Sequence, residues 1–287
     1  MVKFVINGQE VEAREGQTVL KVAQELSMKI PTLCYHPALT PYGGCRLCIV
    51  EVTKDGRSEL TTSCDLLVEE GTKVETDSDR VLKARRLILE LMLARCPESE
   101  AIKELAKELG VERTRFRVLG EKEELCVLCG LCVRICEQAM GVGAIGFANR
   151  GWRREVAPPF GKHSDVCLTC GACEFICPTG AVDLKKISKR EPTPLGSEFD
   201  MGLASRPSLY LPFPQAVPNV PVVDPKSCVY QLTGNCKICE RFCEPEAIDR
   251  DMAEEEIEFE VGTIIVATGF DQFDPKLKPE FAYGLYN

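Results

Sequence analysis

Histidine and tryptophan are nearly absent from this chain, two and one respectively in 287 residues. A metal site built on imidazoles is therefore excluded. Basic residues are outnumbered, 35 Lys and Arg against 44 Asp and Glu, for a formal charge of −9. Nucleic-acid binders need a basic face that displaces counterions, so no nucleic-acid partner is expected. No apolar run reaches the ~18 residues of a membrane helix, and the opening stretch MVKFVINGQEVEA has no hydrophobic segment of the secretory type. No G-x-G-x-x-G follows a strand pattern. Gly141-x-Gly143-x-x-Gly146 lies inside cysteine-punctuated text and is rejected as a nucleotide site. No nucleophile stands with a base and no carboxylate pair suggests acid–base work, so the chain is expected to have no active site of its own.

What the chain has is cysteine: 17 residues, an odd number, recurring at x2 and x3 spacings. A disulfide framework needs an oxidising compartment. The expectation is instead a reduced, cytoplasmic metalloprotein.

Residues 2–13 alternate apolar and polar about Asn7-Gly8, which predicts a hairpin with a type I′ turn. Thr18 is placed to cap a short helix over VLKVAQEL. IVEVTKDGRSELTTSC reads as two strands about Asp55-Gly56. Hairpin, helix, cysteine-rich loop and further strands suggest a β-grasp module over residues 1–78. Residues 79–120 read as a helical connector: one amphipathic helix over 79–95, and a second from about Glu98 to Leu109, opened by Pro97 and closed by Gly110. A cysteine-punctuated region follows at 121–190. Residues 191–250 join a proline-rich extended linker to one more cysteine set. The tail, 251–287, offers one buried-type strand, VGTIIVAT, and an acidic turn at Glu254–Glu256. The fold class is α+β.

The first cysteine set is Cys34-x10-Cys45-x2-Cys48-x15-Cys64. Four thiolates from a loop suit a [2Fe–2S] cluster, and Gly43-Gly44 removes side chains where the backbone would wrap it. A four-cysteine zinc site is the alternative, although zinc prefers paired short knuckles. Two runs then share C-x-x-C-G-x-C-x-x-I-C: Cys126, Cys129, Cys132, Cys136 and Cys167, Cys170, Cys173, Cys177. This is the spacing of two-cluster ferredoxins, in which the fourth cysteine of each run serves the other cluster. That resemblance implies one [4Fe–4S] cluster on Cys126, Cys129, Cys132 and Cys177, and another on Cys167, Cys170, Cys173 and Cys136. Glu137 stands where the first run would have proline. The last set, Cys228-x7-Cys236-x2-Cys239-x3-Cys243, would supply all four ligands of a third [4Fe–4S] cluster. A zinc knuckle or a site completed by a partner chain remains open there. Cys96 stands alone and reads as a buried free thiol, His36 as packed beneath the first loop, and His163 as a turn residue.

The words around these sets carry a more specific resemblance. CYHPALTPYGGCRLCIVEV and CVRICEQAMGVGAIGFANRGW resemble the [2Fe–2S] plus two-[4Fe–4S] region of NADH dehydrogenase, formate dehydrogenase and iron-only hydrogenase relatives, over about residues 1–185. Those proteins often hold a further cluster on one His and three Cys; with Cys96 and no His in that region here, it is expected to be missing. YLPFPQAVPNVPVVDPKSC, CERFCEPEAID and EVGTIIVATGFDQFDP resemble the ferredoxin insertion of the flavin-bearing heterodisulfide reductase subunit, over about residues 160–287. Together these imply an electron-transfer subunit with one [2Fe–2S] and three [4Fe–4S] clusters and neither flavin nor nucleotide. Its implied partners are catalytic or flavin-containing subunits of heterodisulfide-reductase, formate dehydrogenase or hydrogenase type, a ferredoxin, or an NAD(P)-linked subunit. Two rivals stay open: a subunit that completes a flavin site with a partner chain, and a free multi-cluster ferredoxin acting as a diffusible carrier.

Overall fold

Alternation at the N-terminus produces the first two strands. β1 (Val2–Ile6) and β2 (Gln9–Ala13) pair antiparallel about Asn7-Gly8, whose φ values of 49° and 78° give the positive pair that a type I′ turn needs. α1 (Val19–Glu25) follows, with the Thr18 hydroxyl accepting from the Lys21 N–H. β3 (Ile49–Lys54) and β4 (Arg57–Thr62) turn back at Asp55-Gly56. The short β5 (Lys73–Glu75) then inserts between β1, to which it runs parallel, and β3. The sheet order is β2-β1-β5-β3-β4, and the buried face of α1 joins Phe4, Ile6, Val50 and Val74 in one core. A five-stranded mixed sheet with a helix across it is the β-grasp arrangement.

The computed structural model describes residues 1–287 apart from 120–123, 192–193, 242, 244, 246, 250–251, 253–257, 259, 268, 270–272 and 285–287, and apart from the side chain at 241. The chain divides into two units, Met1–Glu246 and Ala247–Asn287.

Within the first unit, α2 (Asp79–Arg95) is capped by the Ser78 hydroxyl and packs on α3 (Glu100–Glu108), with Gly110 in the left-handed conformation just beyond. These helices do more than connect. Leu89, Leu93, Ile102 and Ala106 share one core with Cys129, Cys132, Ile135 and Cys173. α4 (Leu131–Arg134) runs on into a wider π-type turn over Ile135–Ala139, and β6 (Gly146–Ala148) pairs with β7 (Glu155–Ala157). α5 (Ala172–Phe175) and α6 (Leu184–Ile187) complete this layer. The proline-rich stretch is tied down more than an extended linker implies. β8 (Leu209–Tyr210) pairs with β9 (Val222–Val223), and Arg206 bonds Glu198 and Asp224 while lying over the Tyr210 ring. α7 (Val229–Thr233) and α8 (Ile238–Arg241) end the unit.

In the second unit the expected strand at VGTIIVAT does not form among the described residues. Residues 261–267 are irregular, with Val261, Ile264, Ile265 and Val266 between 62% and 88% exposed. An apolar strand of the buried kind needs neighbours on both edges to take up its backbone hydrogen bonds, and no strand lies among the described residues of 247–287. Thr268 and the acidic run at 254–256 lie outside the described residues.

Candidate metal centres

The first cysteine set sits in the loop between α1 and β3 and just after β4. All four sulfurs are buried. They fall into two close pairs. Cys34 and Cys45 share a thiol–thiol hydrogen bond, as do Cys48 and Cys64, and Cys45 lies near enough to Cys48 to act on it electrostatically. Within each pair one thiol keeps the proton and its partner moves toward thiolate. The bond from Cys34, helped by the backbone N–H of Leu47, lowers Cys45 to about 6, and the bond from Cys64 lowers Cys48 to about 7. Cys34 and Cys64 are raised well above the thiol range by the same bonds and by burial. The loop can close this tightly because Gly44 has no side chain: a Cβ there would meet the Tyr42 ring at 2.3 Å.

The two later runs repeat one backbone device. In each, the residue before the second cysteine and the glycine after it have positive φ: Leu128 and Gly130 at 56° and 74°, Thr169 and Gly171 at 54° and 72°. The left-handed glycine then starts a short helix, α4 or α5, that carries the third cysteine. The groups cross between the runs. Cys126, Cys129 and Cys132 each feel the charge of Cys177, whereas Cys170 and Cys173 feel that of Cys136 and Cys167. A cavity with almost wholly apolar walls is lined by Cys136, Cys167, Cys170 and Cys173 together with Met140 and Ile187. Burial pushes Cys129 up to about 11, Cys132 up to about 12 and Cys173 up to about 11. Backbone N–H groups point at the sulfurs: Ala144 at Cys136 (3.2 Å), Ala181 at Cys177 (3.2 Å) and Thr169 at Cys167 (3.4 Å).

α2 reaches both regions. Arg85 is buried and donates to the Ile49 carbonyl (2.6 Å), next to Cys48. Arg95 clamps the carbonyls of Cys126, Trp152 and Arg154 at 2.9, 3.1 and 2.9 Å. Ten residues of helix set these two grips about 15 Å apart. Neither arginine stands out in the sequence, where both read as the polar side of an amphipathic helix.

Cys228, Cys236, Cys239 and Cys243 are half-buried around α7 and α8. Val229, Cys236 and Ile238 pack on the core of the preceding runs, and the Thr233 hydroxyl bonds the Met140 carbonyl (3.2 Å). Gly141 lets this module approach, since a Cβ there would lie 2.4 Å from the Asn235 amide.

Cys96 is fully buried at the end of α2, and desolvation pushes its thiol up to about 12. His36 is half-buried beside the first set, held below its ordinary value by burial and by Arg134. His163 is exposed and bonds the Lys185 carbonyl (3.2 Å) in irregular chain, two residues ahead of the turn at 165–166.

These features fit polynuclear clusters. Apolar walls and backbone N–H groups aimed at the sulfurs suit thiolates that spread their charge over several irons.

Comparison with known proteins agrees. Residues 1–79 match the 2Fe-2S iron-sulfur cluster binding domain and residues 125–181 the 4Fe-4S dicluster domain. The chain is similar to an iron-sulfur subunit of the CoB–CoM heterodisulfide reductase of Methanocaldococcus jannaschii, at 46% identity over 96 residues, 33% of this chain and 14% of that protein. It is 28% identical over 207 residues, 64% of this chain and 30% of the relative, to a subunit of the NADH-quinone oxidoreductase of Rickettsia prowazekii. Over 212 residues it is 33% identical to the NADP-reducing hydrogenase subunit HndD of Solidesulfovibrio fructosivorans, covering 63% of this chain and 36% of that one. A crystal structure of an NAD+-reducing [NiFe]-hydrogenase in the H2-reduced state matches 55% of this chain and 75% of its own, at 29% identity and a TM-score of 0.49. The chain thus spans 14% to 36% of the length of these curated relatives. No helix among the described residues is long and apolar enough to cross a membrane. With a [2Fe–2S] domain followed by a [4Fe–4S] dicluster domain, the chain is a multi-cluster iron–sulfur protein, similar to iron–sulfur subunits of oxidoreductases.

Proposed function

We propose that this chain relays single electrons between the redox centres of a larger oxidoreductase. Cys34, Cys45, Cys48 and Cys64 hold a [2Fe–2S] cluster. Cys126, Cys129, Cys132 and Cys177 hold one [4Fe–4S] cluster, and Cys167, Cys170, Cys173 and Cys136 a second. Cys228, Cys236, Cys239 and Cys243 hold a third. When bound, these groups supply one-electron chemistry, with no proton or substrate handled by the protein. The chain's own residues set where that happens and at what potential. The N–H groups of Ala144, Ala181 and Thr169 stabilise negative charge on the sulfurs they face. Apolar walls around Cys136, Cys167 and Cys173 lower the polarity of their surroundings.

The observation that carries this reading is the crossed grouping of Cys136 and Cys177, each lying with the other run's three cysteines. The catalytic centre belongs to a partner of heterodisulfide-reductase, formate dehydrogenase or hydrogenase type. An anaerobic one-electron titration of the iron-loaded chain tests the reading. Reversible uptake of about four electrons, one per cluster, is expected; a colourless, zinc-filled protein that takes up none overturns it.

A second reading draws on the exposed run Val261–Val266. Unpaired among the described residues of its unit, it suits addition to a partner's sheet edge, as a subunit completing a flavin site would require. Flavin retained only when the partner is present would favour it.

A further inference from the structure

Two arginines lie buried against the [2Fe–2S] loop, and neither is paired directly with a carboxylate among the described residues. Arg134, two residues after Cys132, is 7% exposed. Its guanidinium donates to the Thr40 carbonyl (2.7 Å) and to the Cys34 carbonyl, and lies 5.1 Å from the centre of the Tyr42 ring. Its Nε has no partner. Arg85 is 3% exposed, donates to Ile49 and interacts with Cys48, and its Nε is likewise unpartnered. Among the described residues, neither makes an ion pair. A buried cation is costly unless a negative charge lies near. Carbonyl dipoles meet part of that need.

For Arg85 the Asp77 carboxylate acts from beyond ion-pair distance, after Cys48 in effect; what lies nearest both arginines is sulfur. Arg134 touches the backbone of Cys34, in the Cys34–Cys45 pair; Arg85 stands by the Cys48–Cys64 pair. Arg134 also belongs to the helix that carries Cys132, and Cys45 itself acts on Cys129 across this seam. Tyr42 fills the same gap, against Gly44 on one side and 3.7 Å from a Cβ at Gly130 on the other. Resting on the function proposed above, we infer that Arg134 is a positioning residue that sets the potentials of two neighbouring clusters at once, the [2Fe–2S] centre and the [4Fe–4S] centre of Cys126, Cys129, Cys132 and Cys177, while Arg85 acts on the [2Fe–2S] centre alone. A fixed cation favours the form with one more electron, so both residues raise the potentials they reach. A plain bolt between two loops would hold geometry without that selectivity.

EPR-monitored redox titration of the iron-loaded full chain, with dithionite and mediators, tests this. Arg134→Gln is expected to cut the reduced-to-oxidised ratio at fixed poise at least tenfold at both centres, about 59 mV for a one-electron couple. Arg85→Gln should do so at the [2Fe–2S] centre only. Arg134→Lys keeps the charge but not the fork that spans Cys34 and Thr40, and should stay within about threefold of the unmodified chain. Arg134→Gln with an intact [2Fe–2S] signal and unmoved potentials overturns the inference, as does a lysine variant that shifts as far as the glutamine one. If Arg134→Gln fails to assemble, the other two variants decide: a moved cubane in Arg85→Gln, or moved potentials in Arg134→Lys, overturns it. An unmodified chain with no reducible [2Fe–2S] signal removes the underlying functional reading, and the inference with it.

Discussion

The two runs at 126–177 and the set at 228–243 share the C-x2-C-x3-C spacing, yet the chain treats them differently. In the runs, paired left-handed turns at Leu128–Gly130 and Thr169–Gly171 swing backbone N–H groups toward sulfur; Cys129, Cys132, Cys167 and Cys173 are buried, Cys126, Cys136 and Cys177 half-buried and Cys170 exposed. In the later set no glycine follows the second of the closely spaced cysteines, and Gly234 is the only residue with positive φ among those described in 228–243. All four of its sulfurs are half-buried. The matched dicluster region ends at residue 181. Spacing puts thiols within reach of one another, whereas turn chemistry decides which backbone N–H groups face them.

Metal content breaks this comparison most forcefully. The proposed ligand sets predict about 14 irons per chain. Cys129→Ala should lose a cubane or leave a three-iron form, and Cys236→Ala should lower iron by about four through the third module alone. About ten irons in the unmodified chain, unchanged in Cys236→Ala, would sink the third cluster and leave the dicluster region standing.

The docking of the third module offers the next test. Gly141→Ala drives a methyl into Asn235 and adds left-handed strain at φ 69°, a cost of about 1–3 kcal/mol. Thermal unfolding should fall, with iron loss confined to the Cys228 set. Gly234→Ala has equal strain but open space around it, so it should be milder. Equal losses from the two would show that Asn235 does not seat the module.

Assembly should depend on pH to different degrees at the two kinds of site. Cys45 and Cys48 sit at about 6 and about 7, so above pH 7 they offer thiolates already. Cys129, Cys132 and Cys173, near 11 to 12, stay protonated, and iron must displace those protons. Between pH 7 and 9, cubane reconstitution should speed up more steeply than [2Fe–2S] assembly, where only Cys34 and Cys64 still hold protons for iron to displace. Matching slopes, read from the visible spectra, would contradict this.

The smallest effect belongs to Cys96→Ala. Iron should be unchanged, and stability should drop by about 1 kcal/mol for the space left behind, read by denaturant midpoint. Lost iron would expose an error in the ligand sets.

Much of this was legible beforehand. Asn7-Gly8 and Thr18 mark element ends by local chemistry, and the cysteine spacings locate the sets. Three features were not legible. β5, only Lys73–Glu75, is too short to show alternation, and its place between β1 and β3 is set by long-range pairing. Arg85 and Arg134 look like solvated charges, because no local pattern marks a cation that will be buried. The run at 261–267 has the composition of a core strand, but composition says nothing of whether neighbouring strands exist.

The paired thiols of the first set carry one more implication. Cys48 and Cys64 belong to the hydrophobic core under the β-grasp sheet, whereas Cys34 and Cys45 belong to the core shared with α2, α3 and the dicluster runs. A cofactor held by both pairs would rivet two separately packed bodies. Oxidative destruction of that cofactor would then be a mechanical injury as well as an electrical one, loosening the seam on which the rest of the relay is aligned.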